Sequence, residues 1–331
     1  MFRTFRIATY ASLLTLGGLA PAASAADLDV VASFSIIAAF AKNVGGEREE
    51  VTTLVGPDGD AHVYEPRPAD AAALEKANVV LVNGLEFEGF MKRLIETSGT
   101  KAPVVEVTKG IEPIKAEEEE HHHDGKSEEA GHGHDGDDKE EAGHDHAHEG
   151  HHHHGEFDPH AWQSIPNAEI YVKNIADAFC EADKAGCATY TANADAYLAK
   201  LAALETEVKA AIDAIPADKR TIITSHDAFG YFEHEYGLKF IAPEGVSTEA
   251  EASAADVAKL VDQVKEDKAS AIFLENITNP RLIEQIAGET GLKVGGTLYS
   301  DALSGEDGPA STYIDMFHHN VATMKAAILG S

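Results

Sequence analysis

Short apolar runs alternate with amphipathic stretches on both sides of a long polar segment in the middle of the chain. Ahead of that segment, four runs have the length and β-branched content of buried strands: LDVVASF, EEVTTLV, NVVLVNG and PVVEVT. The stretches between them have helical spacing, as in IIAAFAKNVGG, ADAAALEKA and residues 87–97. Beyond the segment, the pattern predicts strands at TIITSH, KFIAPEG, SAIFLEN and LKVGGTLYS, with helices over 227–236, 251–268, 280–290 and 311–328. We therefore expect an α/β fold of two β/α lobes with mainly parallel sheets and helices on both faces.

One long helix is predicted between the two halves. It follows Cys187 in ATYTANADAYLAKLAALETEVKAAIDAIP, which has no internal glycine or proline, and it extends for roughly 40 Å at the usual rise per residue. Such a helix is long enough to bridge two lobes. We expect an N-terminal lobe over 26–186, a linking helix over 187–215 and a C-terminal lobe over 216–331.

The first 25 residues have the pattern of a cleavable signal peptide. Arg3 and Arg6 precede the apolar stretch 7–19, and small residues follow at Ala23-Ser24-Ala25. The alternative, an N-terminal membrane anchor, requires a longer apolar stretch. No cysteine lies at the cleavage site, so we expect an exported protein that is not lipid-anchored.

The polar segment, about 117–156, contains twelve of the 18 histidines, mixed with acidic residues and glycine. It has too few large apolar side chains to offset the entropy of ordering, so we expect a disordered surface loop. Imidazole is a common ligand of zinc and copper, and the composition favours additional weak metal sites in this loop. The formal net charge of −31 argues against nucleic acid or an anionic membrane surface as a partner.

Cys180 and Cys187 are the two cysteines of the chain and lie close together in DAFCEADKAGCATY. In an oxidising compartment, such a pair is expected to form a structural disulfide. A two-thiolate metal site needs further ligands, and none is nearby in the sequence. A redox role is disfavoured because the CxxC spacing is absent.

Four polar side chains follow predicted strands, where ligands of open α/β sheets bind. His62 follows VTTLV, His160 follows PVVEVT and the long insertion, His226 ends TIITSH, and Asp301 follows GTLYS. Two of these residues come from each half. Three imidazoles and one carboxylate form a donor set that suits four-coordinate Zn²⁺.

Six stretches, in the same order, resemble the metal-binding receptors of the zinc and manganese family of ABC importers: GDAHVYEPRPAD, FDPHAW, SHDAFGYF, EGVSTEAEASAADVAKL, IFLEN and LYSDALS. The resemblance covers nearly all of the chain after residue 25. It implies a periplasmic receptor whose two lobes are joined by one rigid helix and enclose a single metal, which is delivered to a membrane permease. The family's ligands fall on His62, His160, His226 and Asp301.

The resemblance also bears on the choice of metal. In this family a glutamate at the position of His226 accompanies manganese, whereas a histidine accompanies zinc, and the histidine-rich insertion is a zinc-branch feature. SDALS and GPASTYIDMFHHN resemble the zinc branch most closely. The sequence departs from the family pattern at Asp60-Ala61-His62, where the family has Asp-Pro-His, and at EADKAGC.

We therefore expect a monomeric zinc receptor that serves an ABC permease, with a periplasmic zinc chaperone as a further candidate partner. The alternatives are a manganese or iron receptor of the same family, a zinc buffer or storage protein, and a zinc hydrolase. The enzyme is disfavoured because four protein ligands leave no open position and because HExxH and GxSxG are absent. Three carboxylates are candidates to orient the liganding histidines: Glu65, Asp227 and Glu275.

Overall fold

The structure, a computed structural model, describes residues 28–116, 155–250 and 252–330. The predicted signal peptide and almost all of the predicted histidine-rich loop lie outside the described residues. Every helix within the described ranges is too short or too polar to cross a bilayer.

The N-terminal lobe is built on a four-stranded parallel sheet with strand order β2-β1-β3-β4. In chain order its elements are β1 (Leu28–Phe34), α1 (Ser35–Gly45), β2 (Glu49–Val55), α2 (Pro68–Lys76), β3 (Val79–Val82), α3 (Met91–Ser98) and β4 (Val104–Glu106). β1 and β3 are almost completely buried because helices cover both faces of a parallel sheet.

The C-terminal lobe repeats this arrangement in a second parallel sheet with strand order β6-β5-β7-β8. α4 (Ile165–Ala182) packs against α1, β3 and β4 of the N-terminal lobe, and α5 (Cys187–Asp213) leads to the second lobe. The second lobe then contains β5 (Thr221–Ile223), α6 (Gly230–Tyr236), β6 (Lys239–Ile241), α7 (Ala254–Asp267), β7 (Ala271–Glu275), α8 (Pro280–Thr290), β8 (Val294–Leu298) and α9 (Tyr313–Leu329). The predicted fold class, two parallel-sheet α/β lobes joined by a long helix, is confirmed.

α5 packs against helices of both lobes, namely α1 and α4 on one side and α9 on the other. Its 27 residues extend for roughly 40 Å. A disulfide between Cys180 and Cys187 joins the end of α4 to the start of α5. The core is continuous across the lobes, since the ring of Phe40 from α1 lies 4.7 Å from that of Tyr313 in α9.

Several predicted elements are longer than the observed ones. The helix predicted from residue 87 begins at Met91, after a turn over residues 84–90 in which Leu85 and Glu86 have positive φ angles. The strand predicted over 239–245 ends at Ile241, before Pro243.

Candidate metal centre

The four residues predicted as ligands lie together in the structure. His62, His160, His226 and Asp301 each offer one donor atom, and these atoms all lie within 4.8 Å of one another. All four residues are buried. Among the described residues, this is the single group of three or more histidine, cysteine or acidic side chains with the spacing of a metal site.

The topology of the two sheets explains why distant residues meet. His62 lies in the loop after β2, and His160 precedes a short 3₁₀ turn at Ala161–Gln163. His226 follows β5, and Asp301 follows β8. The carboxyl ends of the parallel strands of both lobes face each other, so loops that follow these strands converge in the crevice between the lobes.

A buried carboxylate lies against Nδ1 of each of two imidazoles, with hydrogen-bond geometry at His160. Asp158 Oδ1 lies 2.7 Å from Nδ1 of His160, and Glu275 Oε2 lies 2.7 Å from Nδ1 of His226. Glu275 also accepts hydrogen bonds from the backbone N–H groups of Ser225 and His226. With the proton on Nδ1, the Nε2 lone pair of each ring points toward Asp301, as a metal ligand requires.

Asp158 is the functional residue that the sequence analysis missed. Its carboxylate accepts the backbone N–H of His160 at 2.8 Å, and Asp60 accepts that of His62 at 2.9 Å. Both histidines therefore stand in the same Asp-X-His turn, and this repeated spacing is the signal that identifies Asp158 from sequence.

The three proposed orienting carboxylates have different positions. Glu275 contacts His226, a candidate ligand, whereas Glu65 is exposed. Asp227 follows His226 directly, but Nδ1 of His226 already faces Glu275, and the backbone N–H of Asp227 donates to Glu244 and Gly245.

The convergence of donor atoms favours a cation at the centre. Asp301 Oδ2 lies 3.1 Å from Nε2 of His62, 3.1 Å from Nε2 of His226 and 3.6 Å from Nε2 of His160. Within the described part of the chain, Nε2 of His160 and Oδ1 of Asp301 are buried without a hydrogen-bond partner. A buried polar atom without a partner is costly, and a metal ion coordinated by these atoms removes that cost.

The electrostatics of the cluster match this geometry. Burial lowers the pKa of His160, but the negative charges of Asp301 and Asp158 outweigh burial and raise that pKa to about 9. Glu275 and Asp301 likewise raise the pKa of His226 well above its usual range. Burial raises the pKa of Asp301, yet His160 and His226 together hold it well below the usual range. Burial lowers the pKa of His62. Protons and a metal ion therefore compete for the same nitrogen atoms.

Contacts between the lobes hold the ligand loops in place. Trp162 Nε1 and Gln163 Nε2, which follow His160, both donate to the backbone carbonyl of Ser300, next to Asp301. Tyr313 from α9 donates its hydroxyl proton to the carbonyl of Trp162. Trp162 is completely buried, and its ring lies 5.3 Å from that of His160.

Three other histidines of the described chain lie away from this cluster. His318 is exposed and lies 3.1 Å from a carboxylate oxygen of Glu207, and His319 lies 2.9 Å from the backbone carbonyl oxygen of Thr297. His234 is exposed on α6. The disulfide-bonded Cys180 and Cys187 are also separate from the candidate ligands.

The comparisons with known proteins agree with this fold. Residues 30–327 match the family described as ZnuA, the periplasmic component A of the zinc-uptake complex. The chain belongs to this family. It is 31% identical over 323 residues to the iron-binding protein YfeA of Yersinia pestis, covering 97% of this chain and 93% of that protein.

Two further similar proteins are named for other metals, manganese and zinc. The manganese-binding lipoprotein MntA of Bacillus subtilis is 33% identical over 328 residues, covering 97% of this chain and 96% of MntA. The periplasmic zinc-binding protein TroA of Treponema pallidum has a similar structure, with a TM-score of 0.76, 28% identity and coverage of 90% of this chain and 98% of TroA.

Membership of the ZnuA family gives the general activity of this protein. It is a metal-binding receptor of an ABC importer and not an enzyme, and its partner is a membrane permease. The family as a whole, through its named relatives, binds zinc, manganese and iron.

The predicted localisation requires a correction. The sequence analysis expected a receptor without a lipid anchor, and this expectation is contradicted by the similarity to MntA, which is named a lipoprotein. The expectation depended on the absence of a cysteine near Ala25. Such an absence does not determine how a receptor of this family is held at a membrane.

Proposed function

We propose that this protein captures Zn²⁺ and delivers it to the permease of an ABC importer. The observation that carries the proposal is the donor set, in which three imidazole nitrogens and one carboxylate oxygen converge in a buried cluster. Zn²⁺ is commonly bound by four such ligands, whereas manganese favours sites richer in oxygen. Four protein ligands also leave no open position for a reacting water, which suits binding and transfer.

Manganese or iron is the second candidate cargo. YfeA and MntA, named for iron and manganese, are 31% and 33% identical to this chain. His226 favours zinc over manganese, because it supplies a third nitrogen donor at a position where the manganese receptors of this family have a glutamate.

The cargo is tested by the metal content of untagged protein purified from the cells that produce it. Elemental analysis is expected to give one equivalent of zinc and little manganese or iron after weakly bound metal is removed with a mild chelator. Competition between Zn²⁺ and Mn²⁺ for the purified protein then gives the ratio of affinities. Protein that retains manganese or iron in place of zinc would contradict the zinc assignment and leave the metal-receptor function intact.

We also propose that the histidine-rich segment binds additional zinc weakly and supplies it to the cluster. Twelve imidazoles close together in the sequence allow many two- or three-ligand arrangements, each with an entropic cost of ordering the backbone. The segment therefore raises the local zinc concentration without matching the affinity of the buried cluster. A storage protein would instead hold most of its zinc in this segment, and a zinc chaperone, if one exists, would donate to either region.

A further inference from the structure

His62 differs from the other three candidate ligands in its exposure. The side chains of His160, His226 and Asp301 are completely buried, whereas 4% of the His62 side-chain surface is exposed. His62 is also the ligand that lines a surface cavity of about 400 Å³. The cavity thus reaches the cluster at one imidazole.

The walls of this cavity come from both lobes and carry more acidic than basic side chains. They include Leu85–Gly89, the segment around Phe157 and Pro159, and Val246–Ser247. Glu86 and Glu249 contribute negative charge and Lys92 contributes positive charge, whereas burial raises the pKa of Glu88 to about 7. A cleft with an excess of negative charge raises the local concentration of cations.

The ring of His62 is held less firmly than those of the other two histidines. His160 and His226 each have a buried carboxylate 2.7 Å from Nδ1. Within the described part of the chain, Nδ1 of His62 has no such partner, and the ring contacts Phe87, another residue of the cavity wall, at 4.8 Å. Rotation of His62 therefore costs less than rotation of either inner imidazole.

If the metal entered or left by separation of the two lobes, several hydrogen bonds between the lobes would have to break. The backbone carbonyl of Leu303 accepts a hydrogen bond from the N–H of Asp58, and its N–H donates to Ser35 Oγ. The hydroxyl of Thr248 donates to the carboxylate of Asp60. Trp162 and Gln163 donate to Ser300 across the same interface. The cavity provides access to the cluster while all of these bonds remain in place.

We infer that the metal enters and leaves through the cavity next to His62, with His62 as the first ligand to bind and the last to release. The inference depends on the metal-receptor part of the proposed function, but it does not depend on which metal is the cargo. Rotation of His62 exchanges the ion between the cavity and the three inner donor atoms.

Blocking the cavity tests the route. Gly89 has open space where a side chain would begin and a φ angle that other residues adopt, so Gly89→Phe fills the cavity from the N-terminal lobe. Ser247→Trp fills it from the C-terminal lobe. The matched control is Ala242→Phe, which lines a separate cavity of about 420 Å³ beside Asp158.

Rates of association and dissociation are measured by stopped flow with a chromophoric chelator, using Zn²⁺ or, if competition selects it, Mn²⁺. Both blocking variants are expected to lower the two rates by the same factor, at least about fivefold, and to leave Kd unchanged, because a barrier on the route does not alter the bound state. Ala242→Phe should keep the rates of the natural protein.

The order of ligand binding is tested with alanine variants. His62→Ala is expected to lower the association rate, whereas His160→Ala and His226→Ala chiefly raise the dissociation rate. Blocking variants with unchanged rates, or with a weaker Kd and an unchanged dissociation rate, would overturn the route. Equal loss of association rate in all three alanine variants would overturn the role of His62. Selection of manganese in competition would overturn only the zinc assignment.

Discussion

At the scale of single residues, the carboxylates behind the histidines determine the direction of the donor atoms. Glu275 is completely buried at the end of β7 and contacts Nδ1 of His226, while its other oxygen accepts two backbone N–H groups. Its charge therefore favours the Nδ1–H tautomer and a strongly basic Nε2.

Replacement of Glu275 by glutamine should weaken zinc binding by about 10- to 100-fold, the usual effect of losing a partner that orients a ligand. The exposed Glu284, on α8 of the same lobe, provides the control as Glu284→Gln. Chelator competition measures both variants. An affinity for Glu275→Gln equal to that of the control would show that Glu275 does not orient His226.

Selectivity between metals should depend on His226. A glutamate there would face Glu275, so the informative variant is His226→Glu combined with Glu275→Gln, compared with Glu275→Gln alone. We expect the ratio of manganese to zinc affinity to rise, because an oxygen donor replaces a nitrogen donor. If the double variant had the same ratio of manganese to zinc affinity as Glu275→Gln, the third imidazole would not be evidence for zinc.

Zinc affinity should increase with pH. Burial lowers the pKa of His160, but Asp301 and Asp158 raise it to about 9, so a metal ion that binds Nε2 at pH 7 must displace a proton from this ring. The pKa of His226 is also raised above its usual value. Affinity is expected to increase about tenfold per pH unit for each proton displaced, up to about pH 9 for His160. Calorimetry at pH 7 in buffers of different ionisation enthalpy measures the release. Binding without proton release would contradict these pKa shifts.

At the scale of elements, the apolar pattern predicted the strands and helices but not their ends near the site. α3 was predicted to begin at residue 87, yet residues 84–90 form the turn that lets Phe87 contact His62 and lets Glu88 accept a hydrogen bond from Ser33. Phe87 and Glu88 make these tertiary contacts next to the candidate ligands, and the contacts determine the local backbone in place of the helix that the apolar pattern predicted.

The candidate ligands were predicted from strand ends and family resemblance, because the carboxyl ends of parallel strands meet whatever the loop lengths. Asp158 was missed because the Asp-X-His spacing that it shares with Asp60 was not interpreted as a turn. Glu65 was a candidate to orient a liganding histidine, but it is exposed. The unequal exposure of His62 is a property of the assembled lobes and leaves no pattern along the chain.

The histidine-rich segment joins the described chain beside the cavity. Ala116 N donates to the carbonyl of Glu156, so the two ends of the segment lie together, and Gly155 lines the cavity wall. Residues 117–154 can therefore be replaced by a short glycine linker. We expect zinc calorimetry to show loss of the weak sites and retention of one tight site, and loss of the tight site would contradict the separate roles.

At the scale of the whole molecule, the two lobes share one core and are joined by hydrogen bonds around the cluster. The core runs from α1 through α5 to α9, and Trp162 and Gln163 connect the His160 loop to Ser300. A metal ion held by two loops from each lobe would therefore add four coordination bonds to an interface that is already packed. This arrangement suits capture of an ion with little rearrangement.

The central claim is that these four side chains, two from each lobe, hold a single transported metal. Anomalous diffraction at the zinc edge, on crystals of protein loaded with one equivalent of Zn²⁺, tests it most directly. We predict one peak about 2.0–2.2 Å from Nε2 of His62, His160 and His226 and from a carboxylate oxygen of Asp301. A principal peak elsewhere, or one in the cluster that lacks any of these four ligands, would contradict the account.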